Sequence, residues 1–138
     1  MPKPPLPARL DEFLKQPNPS VIATLAPDGS PHTAATWYLW ENGRVLVNMD
    51  EGRQRLGHLR HDPRVSITVL AKDDWYHHVT LRGRVVELRE NAFDDIDRIA
   101  RHYTGEGYPD RERGRVSAWI AVESWHSWAV REPWTGED

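Results

Sequence analysis

The chain contains no cysteine, which removes disulfide bonds, thiolate metal sites and a cysteine nucleophile together. It has no apolar run near the ~20 residues that a membrane-spanning helix requires. Its opening stretch, MPKPPLPARLDEFL, carries four prolines instead of the apolar core of a secretory signal. A cytoplasmic location is the expectation. Positive charge is not in excess either: 18 Lys and Arg stand against 21 Asp and Glu, a formal net charge of -3. Nucleic-acid and membrane-surface binders need a basic field to draw in phosphates, so neither class of partner is expected. The patterns G-x-S-x-G, P-loop and G-x-G-x-x-G are all missing, and with them a nucleophile elbow and glycine-rich phosphate cradles. Phe and Met occur twice each, whereas Trp occurs seven times. Tryptophan supplies flat apolar surface with one polar handle, which suits binding sites and interfaces as well as cores.

With 138 residues, 38% of them hydrophobic, the chain has material for one domain with a real core. The expected domain spans 1-138, with an N-terminal arm and short helix over 1-17 and a loose tail over 129-138. Leu10, Phe13 and Leu14 have helical spacing ahead of Pro17 and Pro19. SVIATLA, the turn PDGS and PHTAATWYLW read as a hairpin, and Asn42-Gly43 marks a second tight turn before the strand RVLVNM. Asp50 is placed to cap a helix that runs to His61, where Asp62-Pro63 ends it. RVSITVL follows as a strand. WYHHVTLRGRVVEL reads as a long strand with a bulge or bend at Gly83. A second helix over 91-104 buries Phe93, Ile96, Ile99, Ala100 and Tyr103 and turns Asp94, Asp95, Asp97, Arg98 and Arg101 to water. After the polar loop TGEGYPDRERGR comes a final strand, RVSAWIAVESWHSWAV. Six mostly antiparallel strands left open would expose edges, so a small barrel is expected.

The stretch GRQRLGHLRHDPRV, residues 52-65, holds four arginines, two histidines and one acid. Helix dipoles favour anions at the N-terminal end and cations at the C-terminal end. Arg60, His61 and Arg64 therefore need no special partner. Arg53 and Arg55 stand at the opposite end, beside backbone N-H groups that lack helical acceptors, and look like half of an anion site. His58 and Asp62 share a helix face but have no further ligands nearby, so no metal is expected. His77 and His78, consecutive on a strand, point to opposite faces. With no acid, base or nucleophile constellation in view, any enzyme chemistry is expected to come from a cofactor.

In order along the chain, ATLAPDGSPHTAATWYLW, VLVNMDEGRQRLGHLRHDPRVSITVL, VTLRGRVVEL, IARHYTGEGY and the closing ESWHSW resemble the split-barrel flavin and deazaflavin reductases, relatives of pyridoxamine 5′-phosphate oxidase. The resemblance spans roughly residues 18 to 128. It implies a mainly β fold, a six-stranded antiparallel split β-barrel of the FMN-binding type with two to three helices. It also implies a homodimer with cofactor grooves between subunits. Carried over by position, Arg53 and Arg55 resemble the family's phosphate-binding pair, with Gln54 between them. Thr36 and Trp37 match the segment beside the ring system, and Asn48 and Met49 the floor beneath it. Trp75, Tyr76 and His78 are wall contacts from the partner subunit, while Trp125 and Trp128 seal the barrel end or the dimer seam. The implied cofactor is the deazaflavin coenzyme F420, which carries a phosphodiester and an acidic tail that Arg60 or Arg64 would also serve; the alternative is FMN. The implied activity is hydride transfer to a small unsaturated or carbonyl substrate, with a non-catalytic cofactor-binding protein as the contrasting class.

Overall fold

The computed structural model describes residues 1-129, 132 and 133. Three helices, α1 (Ala8-Leu14), α2 (Gln54-His61) and α3 (Phe93-Thr104), accompany eight strands. These are β1 (Ser20-Leu25), β2 (Pro31-Thr36), β3 (Leu39-Glu41), β4 (Arg44-Asp50), β5 (Arg64-Leu70), β6 (His78-Arg89), β7 (Arg115-Ala129) and β8 (Glu132-Pro133). They form one antiparallel sheet in the order β2-β1-β5-β6-β7-β4-β3, with β8 on β7.

The strand expected over 31-40 divides into β2 and β3 at Trp37 and Tyr38. Those two residues carry the chain from one edge of the sheet order to the other, so the sheet is curled into a split barrel. The crossing is anchored by Tyr38, whose fully buried hydroxyl donates to the Leu14 carbonyl at 2.8 Å. Its backbone N-H donates to Tyr103 Oη at 3.3 Å, and Tyr103 Oη donates onward to the Asn18 carbonyl at 2.7 Å. A backbone group that leaves a sheet must find another partner, and here a tyrosine side chain supplies it. Inside the barrel, Ile22, Val45, Val47, Ile67, Val69, Val79, Leu81 and Ile120 make the core, and Leu10 and Leu14 of α1 join it. The N-terminal arm reaches β7, where Trp125 N-H donates to the Pro2 carbonyl. Trp125 is buried in this core, while Trp128 is 40% exposed.

Two boundaries and one helix face differ from expectation for identifiable reasons. Asp50 does not cap α2; it ends β4, paired with Arg115, and Glu51 N-H continues the ladder to the Gly114 carbonyl. Sheet pairing outcompetes the helix start, so α2 begins at Gln54 with Arg53 as its N-cap. β6 begins at His78 because Asp74 organises the preceding residues into a turn, accepting from Tyr76 N-H and His77 N-H. In α3, Asp95 does not face water: it is 5% exposed. Ile99 is one turn away on the same face, so Asp95 is carried under the helix with it. The expected tail over 129-138 lies largely outside the described residues, within which Trp128 and Ala129 pair with Pro133 and Glu132.

The register of β6 on β7 shifts twice: opposite Arg82 and Gly83 the extra residue is Glu123 of β7, and between Val85 and Glu87 it is Val86 of β6, so the bulge expected at Gly83 lies in the strand facing it. A Cβ on Gly83 would collide with the Ala121 backbone carbonyl. Backbone cannot yield as a flexible side chain can. Gly83→Ala is therefore expected to cost about 3 kcal/mol of stability, measured by denaturant unfolding, whereas Gly57→Ala, with open space around its Cβ, is expected to be neutral or stabilising.

Candidate anion and cofactor cleft

Residues directly opposite one another in an antiparallel pair share a face of the sheet. The register of β4 on β7 sets Asn48 against Ser117 and Asp50 against Arg115, giving one polar facet at the end of the barrel. α3 lies over this facet with Asp95, Ile96 and Ile99 buried. Between α3, the start of α2 and the end of β2 opens a cleft of about 590 Å³. Of the residues singled out in the sequence, Thr36, Trp37, Asn48, Met49, Arg53 and Arg55 line it. Trp37 stacks on Tyr103 with ring centroids 5.2 Å apart and planes 13° from parallel, and stays 37% exposed.

Electrostatically, the cleft is unbalanced. Arg53 is exposed and held by Asp50, Nε to Oδ2 at 3.3 Å. Arg55 is 9% exposed, and its Nε is buried with no hydrogen-bond partner. Burial lowers the pKa of the Arg55 guanidinium, and the neighbouring charges of Arg53 and Arg115 lower it further, with only Asp50 opposing them. Arg115 is 7% exposed, lies 4.8 Å over the Tyr108 ring, and donates from Nε to Asn48 Oδ1 at 2.9 Å. A buried cation without a carboxylate is costly unless something else supplies the negative charge. The donors left free on this wall are of the kind that a phosphate oxygen can accept from.

Not every residue of the basic stretch joins this site. Arg60 lies outside the cleft and pairs with Glu90 at 3.6 Å, and Arg64 pairs with Asp62 at 2.8 Å. Gln54, Trp75 and His78 also lie outside the lining. Trp75 is 70% exposed and Tyr76 60% exposed. His58 turns to Thr24 at 3.0 Å and meets the His32 ring edge-on, while Asp62 is engaged by Arg64. No group of three His, Asp or Glu suited to a metal occurs among the described residues.

The sequence reading missed Arg115, Tyr108, Tyr103 and Lys72, which line the cleft. A signal was present. Val116 and Ala118 alternate inward, so Arg115 and Ser117 share the other face, and that face is covered by α3. The hydroxyl of Tyr103, half-buried and with its pKa pushed up to about 12 by desolvation, stays protonated. Desolvation is also the largest influence on Asp95 and acts to raise its pKa. Hydrogen bonds from Ser117, Arg89 and Arg98 outweigh it and leave the carboxyl below its ordinary 3.8.

The family model for pyridoxamine 5′-phosphate oxidase matches residues 6-129. No curated protein matches the chain. Among solved structures, an F420 reductase superposes with a TM-score of 0.75 at 23% identity, over 83% of this chain and 94% of its own. A conserved hypothetical protein from Mycobacterium tuberculosis gives 0.70 at 25% identity, over 94% and 88%. General stress protein 26 from Bacillus anthracis gives 0.66 at 15% identity, over 87% and 94%. At such identities the likeness is one of fold.

Two outcomes test the electrostatics of this cleft. Arg55→Met replaces an unpaired buried cation with an apolar chain and is expected to leave the melting temperature of the ligand-free protein unchanged or raised. It should also weaken inorganic phosphate binding roughly tenfold; melting several degrees lower would reveal a protein partner for Arg55. Because the folded pKa of Asp95 is depressed, its contribution to stability is present above the unfolded value and lost as pH falls through the folded one. The acid limb of melting temperature against pH, below about pH 4, should therefore be shallower in Asp95→Asn.

Proposed function

The chain belongs to the pyridoxamine 5′-phosphate oxidase family, and from that premise we propose that it is an oxidoreductase binding the deazaflavin coenzyme F420 and passing a hydride from it to a small unsaturated or carbonyl-bearing molecule. The observation that carries this reading is the buried, unpartnered Nε of Arg55 beside Arg53 and Arg115. A cofactor phosphate supplies the negative charge that this wall lacks.

Arg53 and Arg55 bind that phosphate from the start of α2. Thr36, Trp37, Asn48 and Met49 form the adjoining wall and floor for the ring system. Trp37 holds its orientation through the stack on Tyr103, so the platform is set before a ligand arrives. When bound, the reduced coenzyme supplies the hydride, and the protein contributes position and electrostatics. No side chain is assigned as general acid or base: Tyr103 stays protonated and spends its hydrogen on the Asn18 carbonyl. The acidic tail of F420 finds Lys72 and Arg115 on the same cleft wall, in place of Arg60 and Arg64. Trp75 and His78, outside the cleft, reach the site of a second copy in a homodimer. The exposed Trp75 and Tyr76 are then covered.

FMN is the second reading, favoured by one observation: Arg60 and Arg64 already have acidic partners, so no run of free cations leads away along α2 toward a long acidic tail. Fluorescence titration with each cofactor separates the two. F420 is expected to bind more tightly than FMN, with a Kd below about 100 μM, near -5.5 kcal/mol. Failure of both to bind at that level sinks the reading. Tighter binding of FMN transfers the function to a flavin reductase or oxidase of the same fold. Binding of F420 without oxidation of its reduced form by any unsaturated acceptor would leave a carrier, not an enzyme.

A further inference from the structure

Arg115 is the first residue of β7, and the hydrogen bonding of its side chain starts at Asn48 on the cleft wall and runs from there into the protein. Its Nε donates to Asn48 Oδ1 at 2.9 Å. Arginine has no acceptor, so Asn48 must present its oxygen here and its amide nitrogen elsewhere. That nitrogen donates to Ser117 Oγ at 3.0 Å and to the Ala92 carbonyl at 3.1 Å. Ser117, receiving from Asn48, turns its only hydroxyl hydrogen to Asp95 Oδ2 at 2.7 Å. Asp95 also receives Arg89 Nη2 at 2.7 Å and Arg98 Nη2 at 3.3 Å. Arg98 is itself tied to Glu41 at 2.7 Å. Every bond in this chain has one permitted direction, and Asp95, whose ionised carboxyl can only accept, ends it. With Ser117 fully buried and Asn48 and Asp95 nearly so, water does not offer the members alternative partners.

The arrangement fixes the plane of the Arg115 guanidinium. Its Nε is committed inward, and among the described residues no hydrogen bond or ion pair uses its terminal nitrogens. A purely structural buried arginine is usually met by an acid. Asp50 stands directly opposite Arg115 in the ladder, yet its carboxylate is spent on Gly52 N-H, Arg53 and Arg113, and Asp110, which feels the charge of Arg115, is bonded instead by the Glu112 N-H and Arg113.

We propose that Arg115 is a third anion-binding arginine of the cleft, acting with Arg53 and Arg55, and that Asp95 is a positioning residue that sets it through Ser117 and Asn48. The identity of the anion as a cofactor phosphate or acidic tail rests on the function proposed above. The anion site itself rests on the geometry alone. Asp95 touches no ligand. Its role is to hold one end of a polarised chain whose other end presents two donor nitrogens to the cleft.

The test uses inorganic pyrophosphate in calorimetry, and FMN against riboflavin, which lacks the phosphate, in fluorescence titration. Arg115→Ala is expected to weaken pyrophosphate and FMN about tenfold or more while leaving riboflavin unchanged. Ser117→Ala and Asp95→Asn are expected to give a smaller loss with the same selectivity. Combined with Arg115→Ala they should add nothing, because they act through it. A merely structural role would instead lower riboflavin and FMN affinity together and add fully in the double variant. That result, or a relay variant that cannot be obtained folded, overturns the positioning role. Pyrophosphate affinity within twofold of wild type in Arg115→Ala overturns the anion site. If neither flavin nor F420 binds wild type but pyrophosphate still senses Arg115, the cofactor reading falls and the anion site stands. If Arg53→Ala abolishes FMN binding while Arg115→Ala does not, the converse holds.

Discussion

Arg55 and Arg115 are each nine-tenths buried on the wall of one cleft, and after burial itself and Arg53, the charge of Arg115 helps to lower the pKa of Arg55. Burying two like charges together forces the surrounding structure to restrain both, because either would otherwise swing outward to water. Arg115 is restrained by hydrogen bonding through Asn48, Ser117 and Asp95. Arg55 is restrained by its helix: Leu56 and Leu59 are in the core, and they carry the backbone of α2 with them. The apolar stripe of that helix is thin, yet it is sufficient to hold an arginine whose own polar contacts are incomplete. A buried, incompletely paired cation costs stability, and under the function proposed above it would leave the cleft charged before a ligand enters, which lowers the cost of ordering it on binding.

The split in the barrel serves the same cleft. If the strand beginning at Pro31 ran unbroken to Trp40, Trp37 would lie within a ladder. Instead Tyr38 is drawn into the core and tied to Leu14, and its amide is satisfied by Tyr103. Trp37 is thereby left outside both β2 and β3, with one face on Tyr103 and partial exposure to the cleft. The hydrogen bond from Tyr103 to the Asn18 carbonyl joins the end of α3 to the segment after α1. One knot of three residues therefore sets the barrel closure, the tilt of an aromatic platform and the far end of the helix that covers Asp95.

Much of this was legible in the sequence where local chemistry decides. Asn42 and Gly43 both take positive φ, as their dipeptide demanded. Gly105 ends α3 in the left-handed conformation, and Gly83 stands opposite a bulge in β7. Local chemistry failed where a residue's neighbours come from elsewhere in the chain. Asp50 is a sound helix cap by composition, but pairing with β7 claims it first. Asp95 sits among charged residues on a helical projection, and only the position of Ser117 on another strand explains why it is buried. Arg115 was hidden for a related reason. It closes a loop already rich in arginine, and only its phase with Val116 and Ala118 on β7 separates it from Arg111, which pairs with Asp97, or Arg113, which lies near Asp50 and Asp110.

The basic stretch from Gly52 to Val65 shows why counting charges is a poor guide to a site. Its four arginines have four different fates. Arg60 and Arg64 are exposed and paired with Glu90 and Asp62, where solvent screens them and their net contribution is small. Arg53 is exposed but tethered to a buried aspartate that also orders the turn before α2. Arg55 alone is buried with an unsatisfied nitrogen. The feature that sets Arg55 apart is therefore not the density of guanidinium groups but the positive charge left without a protein acid after the fold has formed. By that measure the strongest partner of Arg55 lies outside its own segment, about sixty residues away in sequence at Arg115. The two are brought to one wall by the register of β4 on β7.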